Sequence, residues 1–181
     1  MGRVCPRHGH RVRPLNRIVR HLVEILLKRW GRLAAWRVFV EASVALLVGL
    51  LCFNLALSTS GGRTSAINPL SEQLADSPIE TVLRLVALPA LETLFWQALF
   101  FEGFARLGLP RWVPLLLSAL LFAVVLHWQR GASAMVGAFW FWLVLGLVYA
   151  SQLVRSFWRA FALTTAVHWV PPLFLLVAPL L

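Results

Sequence analysis

Charged side chains are scarce in this sequence. Only 13% of the 181 residues are charged, whereas 60% are hydrophobic. Soluble domains are about 45–50% apolar, so the composition excludes a solvated globular domain of any size and indicates an integral membrane protein. Cysteine is also rare. Cys5 and Cys52 lie in surroundings too different to suggest a disulfide or a metal site, and Cys52, in an apolar run, is expected in the core.

Acidic residues are the smaller part of the charged residues, with 7 Asp and Glu against 17 Lys and Arg. Ten of those seventeen cations lie between Arg3 and Arg37, and the remaining sequence has no surface of mixed basic and aromatic residues. Nucleic acid is therefore not expected as a partner. The basic segment instead predicts contact with anionic lipid headgroups, worth about 1 kcal/mol for each Lys or Arg near the surface.

Long apolar runs predict an all-α fold, a polytopic membrane helical bundle with about five transmembrane helices. Residues 1–35 are interpreted as a basic cytoplasmic tail followed by an interfacial amphipathic helix, with Ile18, Leu22, Ile25 and Leu26 on its apolar face. So long a basic leader argues against a cleaved signal peptide. Residues 36–181 form the predicted membrane domain. Its expected spans are Val38–Ser58, Pro89–Leu107, Trp112–Trp128, Ala134–Val154 and Trp158–Leu181.

The arginines of the connecting segments predict an orientation. With the N-terminus inside, Arg106, Arg111, Arg155 and Arg159 fall on the inner side and only Arg63 and Arg130 on the outer side. Positive residues favour the cytoplasmic side of a membrane. We therefore expect an integral protein of the bacterial inner (cell) membrane with a cytoplasmic N-terminus and an outer C-terminus. Gly137 and Gly146 are expected to allow close helix packing.

Three titratable side chains lie inside apolar runs: Glu92, His127 and His168. A charge at the centre of a bilayer costs about 2.5–3.5 kcal/mol on insertion scales, so such groups are usually functional. A single buried histidine is more often a packing residue than a catalyst. Together, one glutamate and two histidines from separate membrane segments predict an active site.

Depth decides whether these three residues can meet. If one straight helix ran from Pro78 to Leu107, Glu92 would lie about 18 Å below the outer surface and His127 only about 5 Å below it, at about 1.5 Å per residue. Proline interrupts helices, so the sequence predicts a break at Pro89 that raises Glu92 to the level of His127. His168, near the middle of its span, then comes within reach. Pro171-Pro172 is expected to kink or end the last helix.

Poorly solvated glutamate and histidine side chains can activate water. In the natural assignment Glu92 is the base, His127 orients or shares the proton, and His168 stabilises an oxyanion during hydrolysis of a peptide bond. Zinc hydrolysis is the alternative, because two histidines and a glutamate also form a catalytic zinc set. A proton-coupled transporter is a weaker alternative, since the spans carry few polar residues.

The segment Pro89-Ala90-Leu91-Glu92-Thr93-Leu94-Phe95-Trp96-Gln97 resembles the first motif of the CPBP family, the CAAX proteases and bacteriocin-processing enzymes also called Abi proteins. That motif is a Glu-Glu pair with Arg four residues after the second Glu. Glu92 takes the first position, Thr93 replaces the second glutamate, and Gln97 replaces the arginine.

The second and third family motifs each contain a histidine. His127 fits the second, which has Phe four residues earlier, although Ala123 occupies that place here and Phe122 lies five residues back. His168 fits the third, with Pro172 four residues on. The resemblance covers roughly residues 78–181.

The resemblance implies an intramembrane endopeptidase of glutamic or metal-dependent type. Its catalytic residues would be Glu92, His127 and His168, with Thr93 and Gln97 in supporting positions. It implies no cofactor, or a zinc ion held by the same three residues. The expected substrate is a membrane-anchored protein or one with a C-terminal tail, cleaved near that end. The alternative is an inactive relative acting as a membrane scaffold or an immunity-type binding protein.

Overall fold

The computed structural model describes residues 14–59, 80 and 83–177. This part of the chain is helical apart from short connections and contains no strand, so the predicted all-α class is confirmed. The predicted basic tail before residue 14, residues 60–79, 81 and 82, and the last four residues lie outside the described residues. The helices are α1 Pro14–Arg32, α2 Ala35–Thr59, α3 (residues 83–105), α4 Trp112–His127, α5 Ala132–Leu153 and α6 Phe157–Val177, with a 3-10 turn at Trp128–Arg130.

Three of these helices contain stretches long and apolar enough to cross a membrane: Ala35–Phe53, Leu85–Ala105 and Ala132–Leu153. Helix α4 is apolar but shorter, with 16 residues. A membrane helix needs about 20 residues to span a hydrocarbon core of about 30 Å. These three helices indicate a membrane protein.

Helix α3 does not break at Pro89, so that prediction is wrong. Four segments follow one another without interruption: a π-helical turn Leu83–Ala87, an α-helical turn Leu88–Glu92, a π-helical stretch Thr93–Phe101, and a last α-helical turn Glu102–Ala105. A proline ring normally clashes with the carbonyl four residues before it. The wider π-helical turn directly before Pro89 relieves that conflict, and such local adjustments let membrane helices keep their prolines.

Helix α5 is the centre of the bundle, because α1, α2, α4 and α6 all pack against it. Its glycines make close helix approach possible, as predicted. A Cβ atom added to Gly137 would lie 3.1 Å from the Phe53 ring of α2. One added to Gly146 would lie 2.7 Å from Leu115 Cδ1 of α4 and 3.2 Å from Gln97 Oε1 of α3. No larger side chain fits at Gly146 unless its neighbours move.

The outer surface of the bundle is apolar. On α2 one stripe of large side chains is exposed along the whole helix: Trp36, Val40, Val44, Val48, Leu51 and Leu55. The spacing of about four residues places them on one face. Cys52 is exposed beside this stripe, so its expected place in the core is wrong. A surface of this composition suits lipid and not water.

Helix α1 lies within the predicted amphipathic segment, but its apolar residues divide into two stripes. Ile18, Leu22 and Ile25 are exposed, whereas Val23 and Trp30 are buried and Leu26 packs against the core of the bundle. The exposed stripe is available for a membrane surface. Exposed basic residues lie along the remaining face: Arg17, Arg20, Lys28 and Arg32.

Polar side chains fasten the end of α1 to the bundle. Gln152 of α5 donates from Nε2 to the carbonyl of Trp30 at 2.8 Å, and Arg155 donates to the carbonyl of Gly31 at 2.9 Å. These carbonyls belong to the last turn of α1, where helix carbonyls have no partner within the helix. Glu41 of α2 pairs with Arg29 at 2.9 Å and accepts from Trp30 Nε1 at 3.0 Å.

Helix α6 continues through Pro171 and Pro172 and ends at Val177. Of the two predicted effects, a kink or an end of the helix at these prolines, the end is therefore wrong. Pro171 is buried and Pro172 is half-buried. His168 thus lies in the interior of a long helix and is held by the packing on both sides of it.

Candidate active site

Two of the three residues singled out from the sequence meet in the structure. The Oε2 atom of Glu92 on α3 lies 3.4 Å from Nε2 of His168 on α6. The glutamate side chain is 26% exposed and the histidine side chain 7%. Glu92 is therefore at the edge of the helical interior, where a molecule from outside can reach it, while His168 lies behind it.

The π-helical geometry of α3 contributes to this meeting. At Thr93 the α-helical turn changes to a π-helical one, and the Thr93 amide donates to the carbonyls of both Pro89 and Ala90. The Pro89 carbonyl also faces the imidazole of His168. Pro89 and Glu92, about one turn apart, thus present a backbone oxygen and a carboxylate to the same imidazole.

Aromatic rings surround the inner side of the histidine. The Phe141 and Trp142 rings of α5 lie edge-on to the His168 ring, with centroids 5.0 Å and 5.5 Å away. Trp142 is 1% exposed. Packed rings of this kind fix the imidazole in one orientation. The position of His168 opposite Glu92 is therefore set by the core.

His127 lies outside this pair. Its ring contacts Phe122 of the same helix at a centroid distance of 5.5 Å, and Phe122 in turn contacts Trp142 at 4.0 Å. The rings of Phe122 and Trp142 thus link His127 to His168 through a series of contacts. His127 ends α4 with a non-helical backbone, φ −122° and ψ 2°. Its side chain therefore does not follow the direction that a continuing helix would give it.

The set of residues proposed for zinc is not assembled. Among residues 14–59, 80 and 83–177, no three His, Cys, Asp or Glu side chains are grouped closely enough to hold one metal ion. Glu92 and His168 offer two ligands of the types that zinc prefers, an oxygen and an imidazole nitrogen. A zinc centre with Glu92, His127 and His168 requires His127 to approach that pair.

The two supporting positions, Thr93 and Gln97, lie beneath the pair. Both are fully buried. Gln97 Nε2 approaches the carbonyl of Trp142 at 3.5 Å, at the limit of a hydrogen bond. Thr93 follows Glu92 directly, so the two supporting residues form the wall of the interior immediately beyond the carboxylate.

Thr164 and Thr165 were not predicted as site residues from the sequence. They precede His168 by four and three residues, are buried, and share its face of α6. The signal was present in the sequence, because two adjacent threonines one turn before an intramembrane histidine stand out in an apolar helix. Trp142 was also missed, and no local pattern distinguishes it from the eight other tryptophans.

The arrangement resembles an acid–base pair in an apolar wall. A carboxylate beside an imidazole can take a proton from water and pass it to a leaving group when both lie within hydrogen-bond reach. Comparison of the chain with protein-family models, with curated proteins and with solved structures gave no match.

Proposed function

We propose that the chain is an intramembrane endopeptidase in which Glu92 and His168 activate water for hydrolysis of a peptide bond. The observation that carries the proposal is the 3.4 Å contact between the Glu92 carboxylate and the His168 imidazole, two residues from separate helices inside an apolar bundle. Polar groups are costly in such surroundings. Their pairing at the edge of the interior favours a chemical role over a structural one.

In the mechanism Glu92 takes a proton from a water molecule, and the resulting hydroxide attacks the scissile carbonyl. The C–N bond then breaks, and the proton goes to the leaving amine through Glu92 or His168. His168 donates a hydrogen bond to the oxygen that becomes negative during attack. Partial exposure of Glu92 leaves room for the peptide, and the buried His168 stays fixed by the rings of Phe141 and Trp142.

The resemblance to the CPBP family supports a protein substrate cleaved near its C-terminus or membrane anchor. Such a substrate arrives within or beside the lipid, as the apolar exterior of the bundle favours. The proposed setting is the inner membrane of a bacterium, with α1 lying on anionic lipids at the cytoplasmic surface. His127 is proposed to join the site when the substrate is bound, or to support it through Phe122 and Trp142.

Replacement of Glu92 by Gln tests the proposal. Membranes from cells that produce the native chain should contain protein termini that are absent from cells without it, as detected by mass spectrometry of terminal peptides. Glu92→Gln should reduce their formation by about 100-fold or more, because general acid–base groups contribute about 10²–10⁴-fold. Glu102→Gln is the matched control, since it removes a carboxylate from the other end of α3. Termini that persist unchanged in the folded Glu92→Gln variant would show that the chain is not this protease.

An inactive scaffold is the second candidate, favoured by the position of His127 outside the Glu92–His168 pair. This candidate expects identical terminal peptides from the native and Glu92→Gln chains. It also expects that both chains retain the same cross-linked partner protein. The two candidates thus give opposite results in one experiment.

A further inference from the structure

Four buried polar side chains lie on α3 and α6, the two helices that carry the Glu92–His168 pair. Thr93 and Gln97 follow Glu92 on α3, and Thr164 and Thr165 precede His168 on α6. The first three are fully buried, and Thr165 is 5% exposed. All four face into the helical interior.

The chain direction places these side chains on one side of the Glu92–His168 pair. Short connections reverse the chain after α3, α4 and α5, so α3 and α6 run in opposite directions. Residues after Glu92 and residues before His168 therefore lie on the same side. At about 1.5 Å per residue, Gln97 lies about 7 Å beyond Glu92 and Thr164 about 6 Å beyond His168. The two are at the same level, and Gly146 of α5 faces the Gln97 oxygen there.

These side chains are not satisfied by the described residues. Within that part of the chain, the hydroxyls of Thr93, Thr164 and Thr165 and the side-chain oxygen of Gln97 have no hydrogen-bond partner. Most buried polar atoms in proteins are hydrogen-bonded. By contrast, two buried hydroxyls on α4 and α5 form hydrogen bonds within their own helix: Ser118 donates to the Leu115 carbonyl at 3.0 Å and Ser151 to the Val148 carbonyl at 2.9 Å.

We propose that Thr93, Gln97, Thr164 and Thr165 bind a small cluster of water molecules directly beneath the Glu92–His168 pair. Threonine hydroxyls donate and accept, and the Gln97 oxygen accepts, so together they provide the mixed set of about three hydrogen bonds that a buried water makes. Water is small enough for a tightly packed interior, unlike a peptide side chain. The cluster keeps water at the inner side of the pair while substrate occupies the outer side. This role in hydrolysis rests on the proposed function, whereas the water site itself does not.

Water-edited solid-state NMR of the full chain in lipid bilayers, labelled at Thr and Ser, tests the site without a substrate. We expect magnetisation to pass from water to Thr164 and Thr165 several-fold faster than to Ser118 and Ser151. Those serines are equally buried but bond to carbonyls. Ser156 is exposed and serves as the reference for the fastest transfer from water. Transfer to the two threonines as slow as to the two serines would overturn the proposal.

Thr164→Val, which keeps the shape and removes the hydroxyl, tests the positioning role. We expect slower transfer from water to Thr165 and about tenfold slower cleavage, the effect of one lost hydrogen bond. Thr164→Ser should restore both, and Ser118→Ala should change neither. If Thr164→Val does not fold, the comparison within the native chain decides. Fast transfer from water to the threonines, together with cleavage that persists in the Glu92→Gln variant, would refute the protease alone. Slow transfer to the threonines, together with cleavage that requires Glu92, would refute the water site alone.

Discussion

Thr93 and Gln97 lie four residues apart on one face of α3, and both are fully buried. In the motif that this segment resembles, the same two positions hold a glutamate and an arginine. In this chain both positions are neutral and polar. Replacing a buried ion pair as a whole is often neutral for stability, whereas removing one partner costs about 3–5 kcal/mol. Two neutral side chains thus leave no isolated charge beside Glu92, and a charge at either position alone would be unpaired.

A double-mutant cycle tests whether the two positions interact. Thr93→Glu and Gln97→Arg should each destabilise the chain by several kcal/mol, because each buries one unpaired charge. The double variant should recover about 1–3 kcal/mol, the usual coupling of neighbouring groups. The free energy of unfolding in mixed micelles measures all four proteins. Costs that simply add in the double variant would show that the two positions do not interact.

The two histidines should differ in importance. His168→Ala should reduce cleavage about 100-fold or more, because it removes the imidazole that faces Glu92. His127→Ala should reduce it less than about tenfold, because the three residues do not form one group in this structure. Rates are compared per folded protein, since His127 also packs against Phe122. Equal loss in both variants would mean that His127 joins the chemistry directly.

Helix α3 shows which features of a single helix can be predicted from the sequence and which cannot. Apolar length predicted a membrane helix at this place, and a stretch of the helix long enough to span is present. The predicted break at Pro89 is wrong because proline rules assume α-helical hydrogen bonding, and nothing in the residues Leu83–Ala87 identifies a π-helical turn. Glu92 nevertheless meets His168 from this unbroken helix. The group of three residues that was predicted to need the break is not grouped as a metal site among the described residues.

The contact between α2 and α5 depends on a glycine, Gly49, which has no side chain to obstruct it. The Trp140 indole of α5 covers Gly49 of α2 and donates to the Ala45 carbonyl at 3.3 Å. A Cβ atom on Gly49 would overlap the indole. Gly49→Ala should therefore destabilise the chain by about 1–3 kcal/mol, the usual cost of overpacking.

Gly103→Ala is the control for that change, because no heavy atom lies within 4 Å of a Cβ added to Gly103. It should be neutral or stabilise helix α3 by up to about 1 kcal/mol, since alanine favours helices over glycine. Unfolding in mixed micelles compares the two variants. Equal effects would show that the indole moves aside at no cost.

At the scale of the whole molecule, apolar side chains form most of the buried core and also cover the outside of the bundle. Large apolar side chains cover the outside of α2 and α3, while Thr93, Gln97, Gln152 and Thr164 are buried. Composition alone predicted a membrane bundle. It did not predict how α1 is attached, because Gln152 and Arg155 reach carbonyls more than 100 residues away in sequence. Contacts of that separation follow from the packed fold and leave no local pattern.

The number of crossings turns on α4 and α6. The 16 residues of α4 reach about 24 Å at about 1.5 Å per residue, less than the about 30 Å of a hydrocarbon core. The 3-10 turn Trp128–Arg130 does not extend this helix, because the backbone of His127 is non-helical. Helix α6 has 21 residues, about 31 Å, although it carries Arg159 and His168. By length alone α6 can cross and α4 is short, whereas the arginine distribution favours five crossings.

Single cysteines placed in the connections decide between five crossings and three. With Cys5 and Cys52 replaced by serine, Gln129→Cys and Ser156→Cys provide exposed sites before and after α5. Five crossings with an inner N-terminus expect a membrane-impermeant thiol reagent, added to intact cells, to label position 129 and not position 156. If only α2, α3 and α5 crossed, position 156 would be labelled and position 129 protected. Leu109→Cys, inside in both arrangements, is the control for leakage, and labelling at 156 alone would remove α4 and α6 from the set of spans.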